Sequence, residues 1–308
     1  MRHRLPAATI AALAVLAALA VLAVPATAAS AAQLPVIYNG VLGYAQASPT
    51  ASPPGANDWS CKPSRAHPRP VILVHGTFVD MSNDWQAVSP LLYDHGYCVF
   101  ALNYGSSNGS GQLGIYATGE ITQSAEQLAS FVNQVLAATG ARKVDLVGHS
   151  QGGMMPRYYL KFLGGAGKVH TLVGLSPSNH GTTVDGLFTL ASLIPGATGF
   201  FGACTACEEQ AAGSAFLTKL NAGGDTVGGV HYTVIQTAND TVVTPYASAF
   251  LSGQNVTNIL LQSQCILDQG DHLSMPYDHI ADQDVLNALD AAHPVTPACT
   301  LVLPVTGG

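Results

Sequence analysis

Charge is what this sequence most conspicuously lacks. Asp, Glu, Lys and Arg make up only 9% of its 308 residues, against roughly 25% in an average soluble domain. Basic residues are the scarcer, 11 Lys+Arg against 18 Asp+Glu for a formal charge of −7. That balance argues against nucleic acid as a partner. Internal repeats are absent, and nothing marks a second domain. Cys204-Thr205-Ala206-Cys207 has C-x-x-C spacing, but no second pair or neighbouring His completes a zinc set. What fills the space left by charge is Gly, Ala, Ser, Thr and Asn, which implies a neutral-polar surface. Such a surface tolerates an apolar or interfacial substrate, although many secreted proteins share the composition.

The N-terminus reads as a secretory signal peptide over residues 1–28. Arg2 and Arg4 precede an apolar run from Ala7 to Val24, and Pro25-Ala26-Thr27-Ala28 supplies small residues at signal-peptidase spacing. The alternative is a single membrane anchor, for which the run is at the lower length limit; the A-x-A ending favours cleavage and no stable membrane anchor. With cleavage anywhere up to about residue 32, residues 33–308 form a single catalytic domain, long enough for one well-buried core. Loss of Arg2 and Arg4 lowers Lys+Arg from 11 to 9 against 18 acids, so the formal charge moves from −7 to about −9.

Six cysteines in an exported chain imply three disulfides before they imply a metal or redox site. Six cysteines allow 15 pairings; Cys204 with Cys207 reads as a local bridge, and sequence proximity suggests Cys61 with Cys98 and Cys265 with Cys299 without fixing the connectivity.

From residue 70 onward short apolar runs alternate with helical patterns, as in an α/β fold with a mostly parallel sheet and helices on both faces. The predicted strands are Val71–His75, Tyr97–Asn103, Val144–Val147, Val169–Leu175, Tyr232–Thr237 and Val256–Leu261. Ile121, Ala125, Leu128, Val132, Val135 and Leu136 recur at helical spacing until Gly140 stops the helix. Asp282–Ala291 is the expected closing helix. Gln46–Asp58, rich in Ser, Pro and Gly, reads as a surface loop. Residues 183–221 interrupt the alternation with apolar, Gly-rich sequence. A lid-like insertion over the strand ends is one reading of them, and ordinary core packing is the other.

The chemical signal is Gly148-His149-Ser150-Gln151-Gly152, a G-x-S-x-G motif between a predicted strand and a predicted helix, Met154–Leu163. Glycines permit the sharp turn, the turn exposes the Ser150 hydroxyl, and the helix N-terminus aims free N–H groups at a developing oxyanion. Gly105-Ser106-Ser107-Asn108-Gly109 matches the same pattern, but Ser110-Gly111-Gln112-Leu113-Gly114 cannot readily start a helix, so this copy reads as a loop. A serine nucleophile needs a base and an orienting acid, which in this arrangement follow in the order Ser, acid, His. Asp240, just past the fifth strand, is the candidate acid, with a turn or cap as its alternative role. His272 is the candidate base. His279 stands behind the good N-cap Asp278, in the first turn of the closing helix, and His180 is a further alternative. The second oxyanion donor lies in Val74-His75-Gly76-Thr77-Phe78, at Thr77 or Phe78, with Gln151 as the first; His75 reads as a positioning residue.

Pro70-Val71-Ile72-Leu73-Val74-His75-Gly76, the Val144–Gly153 elbow, Tyr158-Tyr159-Leu160, Asp240-Thr241-Val242-Val243 and the His272 region appear in order along the chain. In these segments the sequence resembles the secreted bacterial triacylglycerol lipases of class 2, an α/β-hydrolase family. The resemblance implies lipase or esterase activity, a triad of Ser150, Asp240 and His272, and an oxyanion hole at Thr77 and Gln151. The sequence departs from the simplest members in the 183–221 insertion and in Pro156, whose missing N–H could kink the helix after the nucleophile. The expected reaction is acyl transfer through an ester on Ser150, with no cofactor and no metal, by a monomer acting on an ester or lipid, with an oil–water interface as one setting. The base must be neutral to act, which ties activity to pH above roughly 6.5. A phospholipase, polyester hydrolase or acyltransferase could use the same triad, and a peptidase or a non-catalytic exported binding protein are the remaining readings. Leu303-Pro304-Val305-Thr306-Gly307 matches a cell-wall attachment signal, but only Gly308 follows, so chance or a relic is the preferred reading.

Overall fold

The computed structural model describes Met1, residues 32–49 and residues 51–308. The leader read at 1–28 therefore lies, apart from Met1, outside the described residues. Leu34–Gly308 form one compact unit.

Six strands, β1 (Val71–Val74), β2 (Val99–Leu102), β3 (Val144–His149), β4 (Val169–Leu175), β5 (His231–Gln236) and β6 (Val256–Leu260), form one sheet in the order β2-β1-β3-β4-β5-β6. Every neighbouring pair is parallel. Each falls within a residue or two of its expected position because a strand covered on both faces shows as a short continuous apolar run. The two faces can be read off the period of two. Ile72 and Val74 point into one core layer, and Val71 and Leu73 into the other.

The first layer holds α4 (Ile121–Thr139) and α5 (Gln151–Phe162); the second holds α3 (Val88–Asp94) and α11 (His279–Leu289). In α4 Ile121, Ala125, Leu128, Val132 and Val135 of the expected stripe are fully buried and Leu136 is half-buried, and Gly140 ends the helix in the left-handed conformation at φ 76°. The closing helix begins three residues earlier than Asp282, because the Asp278 side chain accepts from the amides of Ile280 and Ala281. Three short helices ahead of α4 escaped the sequence reading: α1 (Gly40–Gln46), capped by Asn39, α2 (Met81–Asp84), closed by a capping box on Asp80, and α3. Residues 183–221 supply α6 (Val184–Leu193), α7 (Thr198–Phe201), α8 (Thr205–Gln210) and α9 (Ala215–Asn221) between β4 and β5. Leu187, Leu190, Ala191, Leu217 and Leu220 from these helices enter the first core layer. Phe188, Leu193 and Val184 stay exposed, so the segment is part core and part apolar surface. The short α10 (Leu261–Gln264) follows β6.

The cysteines pair as Cys61–Cys98, Cys204–Cys207 and Cys265–Cys299. The first and third close stretches of 37 and 34 residues, the second only 3. In the loop-entropy description, long closures stabilise the fold by about 2–4 kcal/mol each. Replacing either long-range pair by alanine is expected to lower the thermal midpoint measured by calorimetry by several degrees, and replacing Cys204 and Cys207 to lower it less. Equal shifts for all three would contradict the loop-length argument.

Candidate active site

The carboxyl ends of β1 and β3 lie side by side at the point where the strand order reverses, which is where open α/β sheets present a crevice. After β3 the chain makes its turn at Ser150, whose φ of 55° and ψ of −123° are unfavourable for a side-chain-bearing residue. Two glycines make the turn fit. A Cβ on Gly152 would stand 1.9 Å from the Val74 carbonyl oxygen, and one on Gly148 1.9 Å from the Gly152 carbonyl oxygen. Pro156 bears on the same spot. It sits inside α5 and lacks the N–H that would otherwise take up the Gly152 carbonyl. Ser150 is tied to the neighbouring strand through its amide, which donates to the Leu175 carbonyl at 2.9 Å.

Asp240 and His272 meet across 32 residues of sequence. His272 Nδ1 donates to Asp240 Oδ2 at 3.0 Å, and both side chains are buried. The other oxygen of Asp240 accepts from the amides of Val242 and Val243 at 2.8 and 2.7 Å. Burial opposes ionisation of Asp240, but the His272 ring and these two amides outweigh it and hold its pKa below the ordinary carboxylate value. With Nδ1 carrying its proton, His272 Nε2 is left as an acceptor. It is buried and has no partner among the described residues. Ser150, His272, Gly76 and Thr77 all line one cavity of about 220 Å³, whose other walls include Val41, Tyr44, Leu190, Leu193 and Ile194.

The two candidate oxyanion positions in the β1 turn separate clearly. The Phe78 amide donates to the Tyr116 carbonyl at 2.9 Å and is occupied. The amides of Thr77 and of Gln151, the first residue of α5, have no acceptor among the described residues. Thr77 is held from behind: its hydroxyl donates to Gln151 Oε1 at 2.8 Å and accepts from Gln210 Nε2 at 3.0 Å. Gln210 in turn accepts from the Ser178 hydroxyl. It ends α8, so the 183–221 segment braces the turn after β1.

The competing residues lie elsewhere. His279 is the first residue of α11, and its Nε2 faces the Ala298 carbonyl and the Thr300 hydroxyl. His180 faces Asp225 Oδ1 at 3.0 Å. Ser107 sits in the loop before one 3₁₀ turn, Ser110–Leu113, and pairs with the Thr118 hydroxyl. His75 stacks on Tyr104, and burial pushes its pKa down to about 4, so it is neutral at neutral pH.

Three features were missed by sequence reasoning. Gln210 and Asp84 carry no motif, and His149 occupies a variable position of one. Asp84 and His149 pair at 3.0 Å and line the same cavity. The Leu303–Gly307 segment, read as a chance motif, pairs with itself and joins the site. The Val305 amide donates to Asp271 Oδ1, the Gly40 amide donates to the Thr306 carbonyl, and Val305 lines the cavity.

A family profile described as Lipase (class 2) matches residues 68–284, more than two thirds of the chain. The chain belongs to the class 2 lipase family. It is similar to triacylglycerol lipases of Pseudarthrobacter phenanthrenivorans and Burkholderia plantarii, with 42% and 41% identity over 97 residues, 29% of this chain in each case. The matched stretch spans about a quarter of the length of these relatives, 27% and 24%. Among solved structures, Aspergillus fumigatus lipase B is 21% identical with a TM-score of 0.59, covering 80% of this chain and 57% of its own. A Bacillus licheniformis lipase in its propeptide form is 17% identical with a TM-score of 0.51, covering 78% and 54%. These two share the α/β-hydrolase fold.

The crowding at the elbow has a direct test. Gly152→Ala is expected to destabilise the protein by at least about 1–3 kcal/mol through overpacking and to displace Ser150. Gly167→Ala, whose new Cβ meets nothing within 4 Å, is the control. Thermal midpoints of the two variants check this; a Gly152→Ala protein as stable as the control would refute the close-approach argument.

Proposed function

We propose that this chain is an exported hydrolase that cleaves carboxylic esters of lipids through an acyl-enzyme on Ser150, with His272 as base and Asp240 as its orienting acid. The observation that carries this reading is one apolar cavity lined by both the strained Ser150 and the His272 whose Nδ1 is committed to Asp240. Membership of the class 2 lipase family supports the choice of an ester as substrate. Three disulfides support an oxidising destination. Among the described residues no helix is long and apolar enough to cross a membrane.

In the proposed reaction, Ser150 Oγ attacks the ester carbonyl while His272 Nε2 takes its proton. The negative oxygen of the tetrahedral intermediate accepts from the amides of Thr77 and Gln151. Collapse expels the alcohol, which receives the proton from His272. Water, activated by the same ring, then releases the acid. Asp240 keeps Nδ1 protonated and stabilises the imidazolium that forms. This chemistry calls for no metal or organic cofactor. The acyl group takes the apolar walls, where α6 supplies Leu190 and Leu193, α1 supplies Val41 and Tyr44, and the C-terminal hairpin supplies Val305.

Ser150→Ala and His272→Ala are each expected to reduce turnover of a soluble p-nitrophenyl ester by several orders of magnitude, while Ser107→Ala and His279→Ala retain it. Ser150→Ala alone is expected to lose labelling by a fluorophosphonate. Retained labelling of Ser150→Ala, or loss of activity in His279→Ala but not His272→Ala, would overturn the assignment.

Because Leu193 and Val305 touch the cavity but not the triad, Leu193→Trp and Val305→Trp are expected to narrow the acyl site. Rates across p-nitrophenyl esters of two to sixteen carbons, with emulsified triglyceride alongside, are expected to fall for long chains and hold for the acetate. Equal losses on every ester would place these residues in the structural core instead.

A further inference from the structure

Beside the Ser150–His272–Asp240 constellation, lining the same cavity, lies a second aspartate–histidine pair that the proposed reaction does not use. Asp84, the last residue of α2, and His149, the residue before Ser150, are both buried, at 5% and 3% exposure. His149 Nδ1 lies 3.0 and 3.1 Å from the two carboxylate oxygens of Asp84. Its Nε2 lies 3.0 Å from the backbone carbonyl oxygen of His272. A carbonyl oxygen can only accept, and so can a carboxylate. The Gly76 amide donates to Asp84 Oδ2 at 3.0 Å, and His149 Nδ1 stands nearly equidistant from both Asp84 oxygens, the geometry of a donor shared between the two acceptors of a carboxylate. A neutral imidazole has one N–H and could satisfy only one of these two neighbours.

We infer that His149 is a positioning residue, an imidazolium at neutral pH paired with the Asp84 carboxylate, whose two N–H groups lock the oxyanion turn, the nucleophile elbow and the loop of the base into one rigid unit. Asp84 reaches the turn at Gly76, His149 belongs to the elbow, and the His272 carbonyl belongs to the base loop. All three parts that must be in register for acyl transfer thus join through one ion pair. The two histidine rings are 4.9 Å apart. The inference rests on the reading of Ser150 and His272 as nucleophile and base.

The titratable groups around His149 are Asp84 from α2, Asp240 from the loop after β5, and two further histidines, His75 from the end of β1 and His272. Burial disfavours the cation. Asp84, the bond to the His272 carbonyl and Asp240 outweigh it, leaving the pKa above the ordinary imidazole value. The sign follows: the lock is complete below the ordinary imidazole range and is lost as pH rises through the elevated value.

The test is ¹⁵N NMR of the mature protein labelled in histidine, with the His149 ring assigned through its coupling to the His272 carbonyl. Both ring nitrogens of His149 are expected to show imidazolium shifts at neutral pH, with a titration above that of free imidazole. A ring with one protonated and one bare nitrogen at pH 7 would overturn the inference. In parallel, Asp84→Asn, which removes the counter-ion but keeps the size, is expected to lower kcat on the order of 10²-fold through misplacement of the base. KM should change little, and the alkaline limb of the kcat profile should move to lower pH. An unchanged kcat and profile would also overturn it. Because the NMR measurement needs no turnover, it separates the two readings. A catalytically intact Ser150→Ala would sink the triad assignment whatever His149 shows, and a neutral His149 beside an inactive Ser150→Ala would sink the lock alone.

Discussion

The approach of Gly152 to the Val74 carbonyl is the contact on which the rest of the site depends. A helix whose N-terminus presses against the end of a neighbouring strand brings its free amides to the top of the sheet, but only where no Cβ intervenes. That proximity holds Ser150 in a conformation it would not choose alone. Pro156 belongs to the same arrangement, since without its N–H the carbonyl of Gly152 has no partner one turn ahead in α5 and packs against Gly148 instead. The proline that threatened the helix from its sequence lies where the elbow can accommodate it.

Around this contact stand two aspartate–histidine pairs of similar geometry and opposite use. In each, a histidine Nδ1 lies 3.0 Å from a carboxylate in a buried setting. They differ at the far nitrogen. His272 Nε2 has no protein partner and is free to take a proton from a hydroxyl; His149 Nε2 meets a carbonyl oxygen and must bring a proton of its own. The same side-chain pair is therefore set up for a base in the proposed reaction at one place and for a fixed cation in the proposed lock at the other, and the neighbour of Nε2 makes the difference.

The cavity walls come from segments that are peripheral in the chain. The 183–221 segment contributes Leu190, Leu193 and Ile194 as a wall and, through Gln210, a brace on Thr77. Helix α1 and the Leu303–Gly308 hairpin, at opposite ends of the compact unit, meet through the Gly40 amide and close another side. Cavity shape and the turn after β1 are thus physically linked: a change in the insertion can act on the cavity wall directly or on Thr77 through α8.

Local patterns determined a large part of this protein. The six parallel strands, the α4 stripe and its Gly140 stop, the elbow at Ser150, and three disulfides among the six cysteines were legible in the sequence, with proximity suggesting the pairs that the structure shows. Burial on both faces, helical periodicity, turn chemistry and loop closure act over short stretches, or over an even count of one residue type. The candidate acid and base were legible as positions, each in a loop after a late strand, but their meeting at 3.0 Å was not. Asp84, His149 and Gln210 were invisible for a related reason. Each acts on a residue 65 or more positions away, and no local spacing encodes which buried donor will face which acceptor. Val305 went the same way, its role hidden inside a motif that suggested something else. Only the tertiary structure decided these, because a hydrogen bond between distant loops is set by how the sheet stacks the ends of its strands and not by the neighbours of either residue along the chain.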